Sequence, residues 1–163
     1  MVYMKRSSTL FLKVVLILMA IGVFAGLIWF PQTEGRATNL DLISIYKDPF
    51  IIYIYIGSIP FFMALYQAFK LLGYIDQNKI FSQVSVKTLR NIKYCAIAIV
   101  ALIVGAEAYI FIAQRGKSDD IAGGVASGLF IFFVSSVIAT AAAVFQKLLQ
   151  NAVDIKSEND LTV

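Results

Sequence analysis

Apolar residues in this chain gather into four long runs, and the polar residues between them form short links. The runs extend from Leu10 to Phe30, from about Phe50 to Leu72, from about Ile92 to Ala113 and from about Ile121 to Phe145. A helix rises ~1.5 Å per residue, so about 20 apolar residues cross the ~30 Å hydrocarbon layer of a bilayer. Each run is long enough. The pattern predicts one all-α domain over residues 1–163, an integral membrane four-helix bundle with spans near 10–30, 50–72, 92–113 and 121–145 and a cytoplasmic tail over 146–163. The links Pro31 to Pro49, Gly73 to Asn91 and Gln114 to Asp120 are too short to hold a soluble domain. Lys13 interrupts the first run, but its long stem lets the ammonium reach the headgroups. Lys5 and Arg6 ahead of that run also fit a signal peptide. Its length and its ending in Trp29, Phe30 and Pro31 favour a retained, anchored helix.

Two segments beyond the spans keep helical periodicity. Ile80, Phe81, Val84, Thr88, Leu89 and Ile92 recur near helical spacing among Lys79, Lys87, Arg90 and Lys93, with Ser82 placed as an N-cap. This predicts a short amphipathic helix at the inner leaflet, leading into the third span. Phe145, Leu148, Leu149, Ala152 and Ile155 continue the fourth helix into the cytoplasm, with Lys147, Gln150, Asn151, Asp154 and Lys156 between them. That apolar stripe can lie on the leaflet, pack on the loop helix or receive a partner.

Composition agrees with lipid as the main solvent. Hydrophobic residues make up 60% of the chain and charged residues 15%, with a mean hydropathy of +0.80; soluble domains run near ~45–50% and ~25%. The chain has no His and a single Cys, Cys95. Histidine acid–base chemistry, zinc centres and disulfide frameworks are thereby excluded, no cofactor or metal is expected, and an enzyme is disfavoured. Cys95 is expected to be a small buried apolar residue, with palmitoylation or redox chemistry as alternatives.

Charge sets the expected orientation, since basic residues near span ends stay in the cytoplasm. Lys5, Arg6, Lys13, Lys70, Lys79, Lys87, Arg90, Lys93, Lys147 and Lys156 fall on one side, and Arg36, Lys47, Arg115 and Lys117 on the other. Both termini are expected in the cytoplasm, and the membrane is expected to be the bacterial inner one. The pI near 9.2 follows from this rule and from anionic headgroups, so direct nucleic-acid binding is not invoked.

Within the spans, Gly22 and Gly26 form a GxxxG pair, Gly124 and Gly128 form another, and Ser136 and Thr140 extend the second stripe beside Ser135, Ala139 and Ala143. Such faces predict close helix packing inside the bundle, with homodimerisation as the alternative. Ser58 and Pro60 predict a kink in the second span, which either lines a binding site or serves ordinary packing. Glu107 lies deep in the third span and should face the protein interior or a watery cleft. It fits a cation, a proton, a basic ligand or a structural hydrogen-bond acceptor. Tyr53, Tyr55, Tyr109 and Trp29 are expected as interfacial anchors.

The run Lys79-Ile80-Phe81-Ser82 with Val86, Leu89, Arg90, Asn91 and Ile92, and the endings Phe145-Gln146-Lys147 and Glu158-Asn159-Asp160-Leu161-Thr162-Val163, resemble the bacterial membrane family called domain of unknown function 2975. The resemblance implies a four-helix membrane body without an established activity. Some members are encoded beside small helix-turn-helix DNA-binding proteins, which implies a membrane-held regulatory partner. Phe81, Ser82, Leu89, Arg90, Glu158, Asp160, Leu161, Thr162 and Val163 are then the candidate partner contacts. The tail also suits capture physically, because two apolar side chains and a terminal carboxylate can enter a groove. A nonenzymatic regulatory or interaction protein is the leading expectation. A small transporter, channel or immunity-type receptor with its ligand near Glu107 is the alternative.

Overall fold

Four long helices make up almost all of the computed structural model, which describes residues 6–33, 45–46, 49–113 and 122–161. Helix α1 is Arg6–Thr33, α2 Pro49–Asp76, α3 Gln83–Ala113 and α4 Ala122–Leu161. Each is long and apolar enough to cross a membrane, and the molecule is a multi-pass membrane protein. With 40 residues, α4 is about 60 Å long, twice the ~30 Å hydrocarbon layer.

Extensive packing follows chain order: α1 on α2, α2 on α3 and α3 on α4. The expected bundle is therefore a row among the described residues, since α1 and α4 share no extensive interface. Lipid explains why a row suffices. Apolar side chains exposed to acyl chains gain little by moving against protein, so there is no solvent force to close the ring. Most of α1 illustrates this, with Phe11, Leu18, Phe24 and Trp29 all exposed.

The α2–α3 turn is tightly built. The N–H of Lys79 donates to Tyr74 O at 2.8 Å and that of Asn78 to Ile75 O at 3.0 Å. With Asn78 at φ 56°, this is a Schellman ending, in which asparagine takes the left-handed position commonly given to glycine. Ser82 then caps α3. Its Oγ accepts from the N–H of Ser85 at 3.4 Å and donates to Lys79 O at 2.7 Å. Residues expected to form a separate amphipathic helix are instead the first turns of α3, because the capped helix meets no breaker between Gln83 and Ala113.

On α4 the buried positions include Gly128, Ser135, Ala142 and Val153. The first three are seven residues apart, a heptad of small side chains that lets α3 approach closely. Gly22, Gly26 and Gly124 do not join such an interface, for a Cβ at any of them would meet nothing within 4 Å. Ser136 and Thr140 are turned to their own helix, donating to Phe132 O at 2.8 Å and Ser136 O at 2.9 Å. The packing stripe is thus the neighbouring one, and of the six residues expected to pack, Gly128 alone does so within the described chain.

Candidate functional site

Glu107 meets α4 at Gly128. A Cβ at position 128 would overlap Oε1 of Glu107 and lie 2.8 Å from its Cδ. The glycine is buried, so the missing side chain is what gives the carboxyl its place. Oε2 is buried without a hydrogen-bond partner. A carboxyl oxygen in that condition is costly and calls for either a proton or a bound cationic or donor group. Among the described residues no three His, Cys, Asp or Glu side chains cluster as metal ligands.

Next to this point α3 is tied to α2. The Tyr53 hydroxyl donates to Leu102 O at 2.5 Å and stands 3.1 Å from where a Cβ of Gly105 would be. A second tyrosine ties α2 to α1, the Tyr55 hydroxyl donating to Leu27 O at 2.7 Å. These two residues, expected as interfacial anchors, spend their hydroxyls on neighbouring helix backbones. Tyr109 and Trp29 are exposed, as anchors in an aromatic belt would be. Cys95 is a buried free thiol, which agrees with a packing role.

Ser58 and Pro60 are not brought together with Glu107. Helix α2 runs without interruption through Pro60, and Ser58 Oγ donates to Tyr55 O at 2.7 Å, one turn back on its own helix. Ser58 instead borders a cavity of about 410 Å³ between α1 and α2, with Phe24, Leu27, Tyr55 and Phe62. The candidate ligand residues therefore divide between two helix interfaces.

At the other end of the molecule Phe81 and Leu89 join Phe145 and Leu148 around an apolar groove. Ser82 serves the cap, and Leu89 is buried. Arg90 is exposed, and Glu158 is exposed near the end of α4. Leu161 ends α4; the side chains of Asp160 and Leu161, and Thr162 and Val163 altogether, lie outside the described residues. Sequence reasoning did not foresee the groove, the left-handed Asn78 or the ion pair of Lys13 with Asp76 that joins α1 to α2. The groove and the ion pair depend on which helix ends meet; the turn was marked only by Asn78 following an apolar helix.

A family model described as "Protein of unknown function (DUF2975)" matches residues 31–163, from the end of α1 through the tail. The "Uncharacterized membrane protein YoaS" of Bacillus subtilis (strain 168) is 48% identical over 163 residues, covering 98% of this chain and 100% of that protein. No solved structure gives a significant match. The four membrane-length helices, the family model that reaches across three of them and the full-length relative agree: this chain belongs to the DUF2975 family of membrane proteins of unknown function.

Proposed function

We propose that this chain is a nonenzymatic regulatory or interaction protein of the bacterial cytoplasmic membrane, with both termini inside, that holds a soluble partner on the projecting ends of α3 and α4. One observation carries this: α4 continues from Gln146 to Leu161, about 24 Å beyond its apolar run, beside the first turns of α3. Buried Ser85, Val86, Thr88 and Leu89 on α3 and Val153 on α4 stiffen that projection. A rigid surface loses little conformational freedom when a partner docks, which favours binding. Arg90 and Glu158, followed by Asp160, Leu161, Thr162 and Val163, are the contacts we assign to the partner. A helix-turn-helix DNA-binding protein is the partner class that the family resemblance suggests.

Photocrosslinking groups placed at Arg90 and Lys156 in native membranes test this directly. A crosslinked soluble DNA-binding protein, lost from membranes when Glu158 to Val163 are deleted, is the expected result; crosslinks only between copies of this chain would sink the proposal.

Glu107 supports a second function, a small transporter or receptor for a cationic or hydrogen-bond-donating ligand, because its Oε2 is buried without a partner. A folded Glu107→Gln variant should then lose transport or ligand binding. Unchanged uptake or binding would leave Glu107 a packing residue.

A further inference from the structure

The groove at the foot of the α3–α4 projection lies at the depth of lipid headgroups. Leu71, Phe81, Leu89, Phe145, Leu148 and Ala152 line most of it, around a volume of about 310 Å³, near the lower end of small-molecule sites at ~300–1,000 Å³. Three lysines mark the hydrocarbon boundary beside it. Lys70 Nζ lies 4.8 Å from the Tyr66 ring centroid and Lys93 Nζ 4.9 Å from that of Tyr94, while Lys13 pairs with Asp76 and lies 5.7 Å from the Phe69 ring. Such side chains keep their stems in apolar surroundings and their charges at the interface.

Leu71 adjoins Lys70, Leu89 stands one turn outward from Lys93, and Phe145 closes the apolar run of α4. From Phe145 to Ala152 the groove therefore climbs about 10 Å outward along α4, through the layer of headgroups that flanks the hydrocarbon on each side. Phe81, Phe145 and Leu148 are 55%, 60% and 58% exposed there, so protein does not fill it.

Charge at this level is one-sided. Lys79, Arg90 and Lys147 are exposed and directly adjoin Ile80, Leu89 and Leu148 of the groove wall. None of the three is in an ion pair among the described residues; Asp76 is engaged by Lys13, and Asp154 accepts from Gln150 Nε2 at 2.7 Å. A ligand that matches an apolar groove rimmed by unpaired cations at headgroup depth carries an acyl chain and a phosphate together.

We infer that the groove binds one anionic phospholipid, its upper acyl chain against Phe81, Phe145 and Leu148 and its phosphodiester held by Lys79, Arg90 and Lys147. This goes beyond the partner surface and does not depend on it. Lipid occupancy at the base of the projection would link the position of that surface to the composition of the inner leaflet.

The test uses the full-length protein, delipidated in detergent and titrated with phosphatidylglycerol or phosphatidylcholine while bound lipid is counted by native mass spectrometry. One phosphatidylglycerol should be retained at saturation, with phosphatidylcholine at least tenfold weaker, since each basic side chain near an anionic group contributes roughly fivefold. Leu148→Trp, which fills the groove, should weaken phosphatidylglycerol retention at least fivefold. Lys79→Gln with Lys147→Gln, both at exposed positions, should abolish the preference between the lipids. Phe133→Ala, on an exposed face of α4 away from the groove, should change neither. Equal retention of the two lipids by the unaltered protein, binding that never saturates, or phosphatidylglycerol retention undiminished in both groove variants would overturn the assignment.

Discussion

Glu107 and Gly128 share one space: the carboxyl of the first occupies the volume that a side chain on the second would need. An acidic residue in a span and a glycine in a small-residue stripe thus form one feature. The glycine makes room for the acid, and the acid fills the gap at which α3 and α4 meet. The two positions should consequently be coupled in stability. Gly128→Ala should destabilise the fold by about 1 kcal/mol, the low end of overpacking, because the clashing atoms are the end of a flexible side chain. Glu107→Ala should relieve that effect, giving a coupling of ~0.5–3 kcal/mol in a double-mutant cycle read by unfolding in mixed micelles. Gly124→Ala, where a Cβ meets nothing within 4 Å, should stay within about 0.5 kcal/mol of the parent. Simple additivity of the 107 and 128 substitutions would show that the pair does not share its space in the folded protein.

The tyrosine clips should be small but separable. Tyr53→Phe removes the bond to Leu102 O and should weaken α2 against α3, whereas Tyr55→Phe removes the bond to Leu27 O and should loosen α1. Each should cost about 0.6 kcal/mol, the usual size of a hydrogen bond between membrane helices. Because α1 packs extensively on α2 alone, combining Tyr55→Phe with Asp76→Asn, which also removes the Lys13 ion pair, should raise the rate at which a cysteine on α1 is modified in micelles. Modification at the parental rate would mean that other contacts hold α1.

Asn78 carries the left-handed turn at φ 56°. Asn78→Gly should be neutral or slightly stabilising, while Asn78→Val should cost about 1–2 kcal/mol, since a β-branched side chain clashes with the backbone in that region. A thermal series over the two variants checks the order. Valine at parity with glycine would place the α2–α3 turn in another conformation.

Ser82 ends the same turn as the N-cap of α3. Ser82→Ala should lower stability by about 1 kcal/mol, and amide exchange at Gln83 to Val86 should quicken well before exchange near Gly105. Uniform acceleration along the whole of α3 would instead indicate global opening.

Orientation can be checked with single cysteines in a Cys95→Ala background. The balance of basic residues requires that a cysteine at Lys156 resist an impermeant thiol reagent in intact cells and that one at Lys117 react. The reverse result would invert the chain in the membrane and move the groove and the projection to the outside.

Much of the fold is legible in the residue order because solvent choice is a property of composition. A run such as Leu10 to Phe30 has no stable place in water, and its length alone matches the bilayer. The lysine near each boundary is legible too, as is the cap at Ser82, since a cap is decided within one helical turn. What stayed hidden is which surfaces meet. Gly124 and Gly128 are alike in the sequence, yet one faces Glu107 and the other open space. Ser135 and Ser136 are adjacent, yet one is buried and the other donates to its own backbone.

The residue order by itself determined that this chain lives in lipid, crosses it as four helices and leaves its charge mostly at one end, because each of those follows from local apolarity and length. Tertiary structure alone decided that the helices stand in a row, that Tyr53 and Tyr55 clip neighbours instead of anchoring the interface, and that Phe81, Phe145 and Leu148 enclose a groove. In a bilayer every apolar face is equally content against lipid, so pairing rests on the rotation and close fit of whole helices, which no short stretch of sequence encodes.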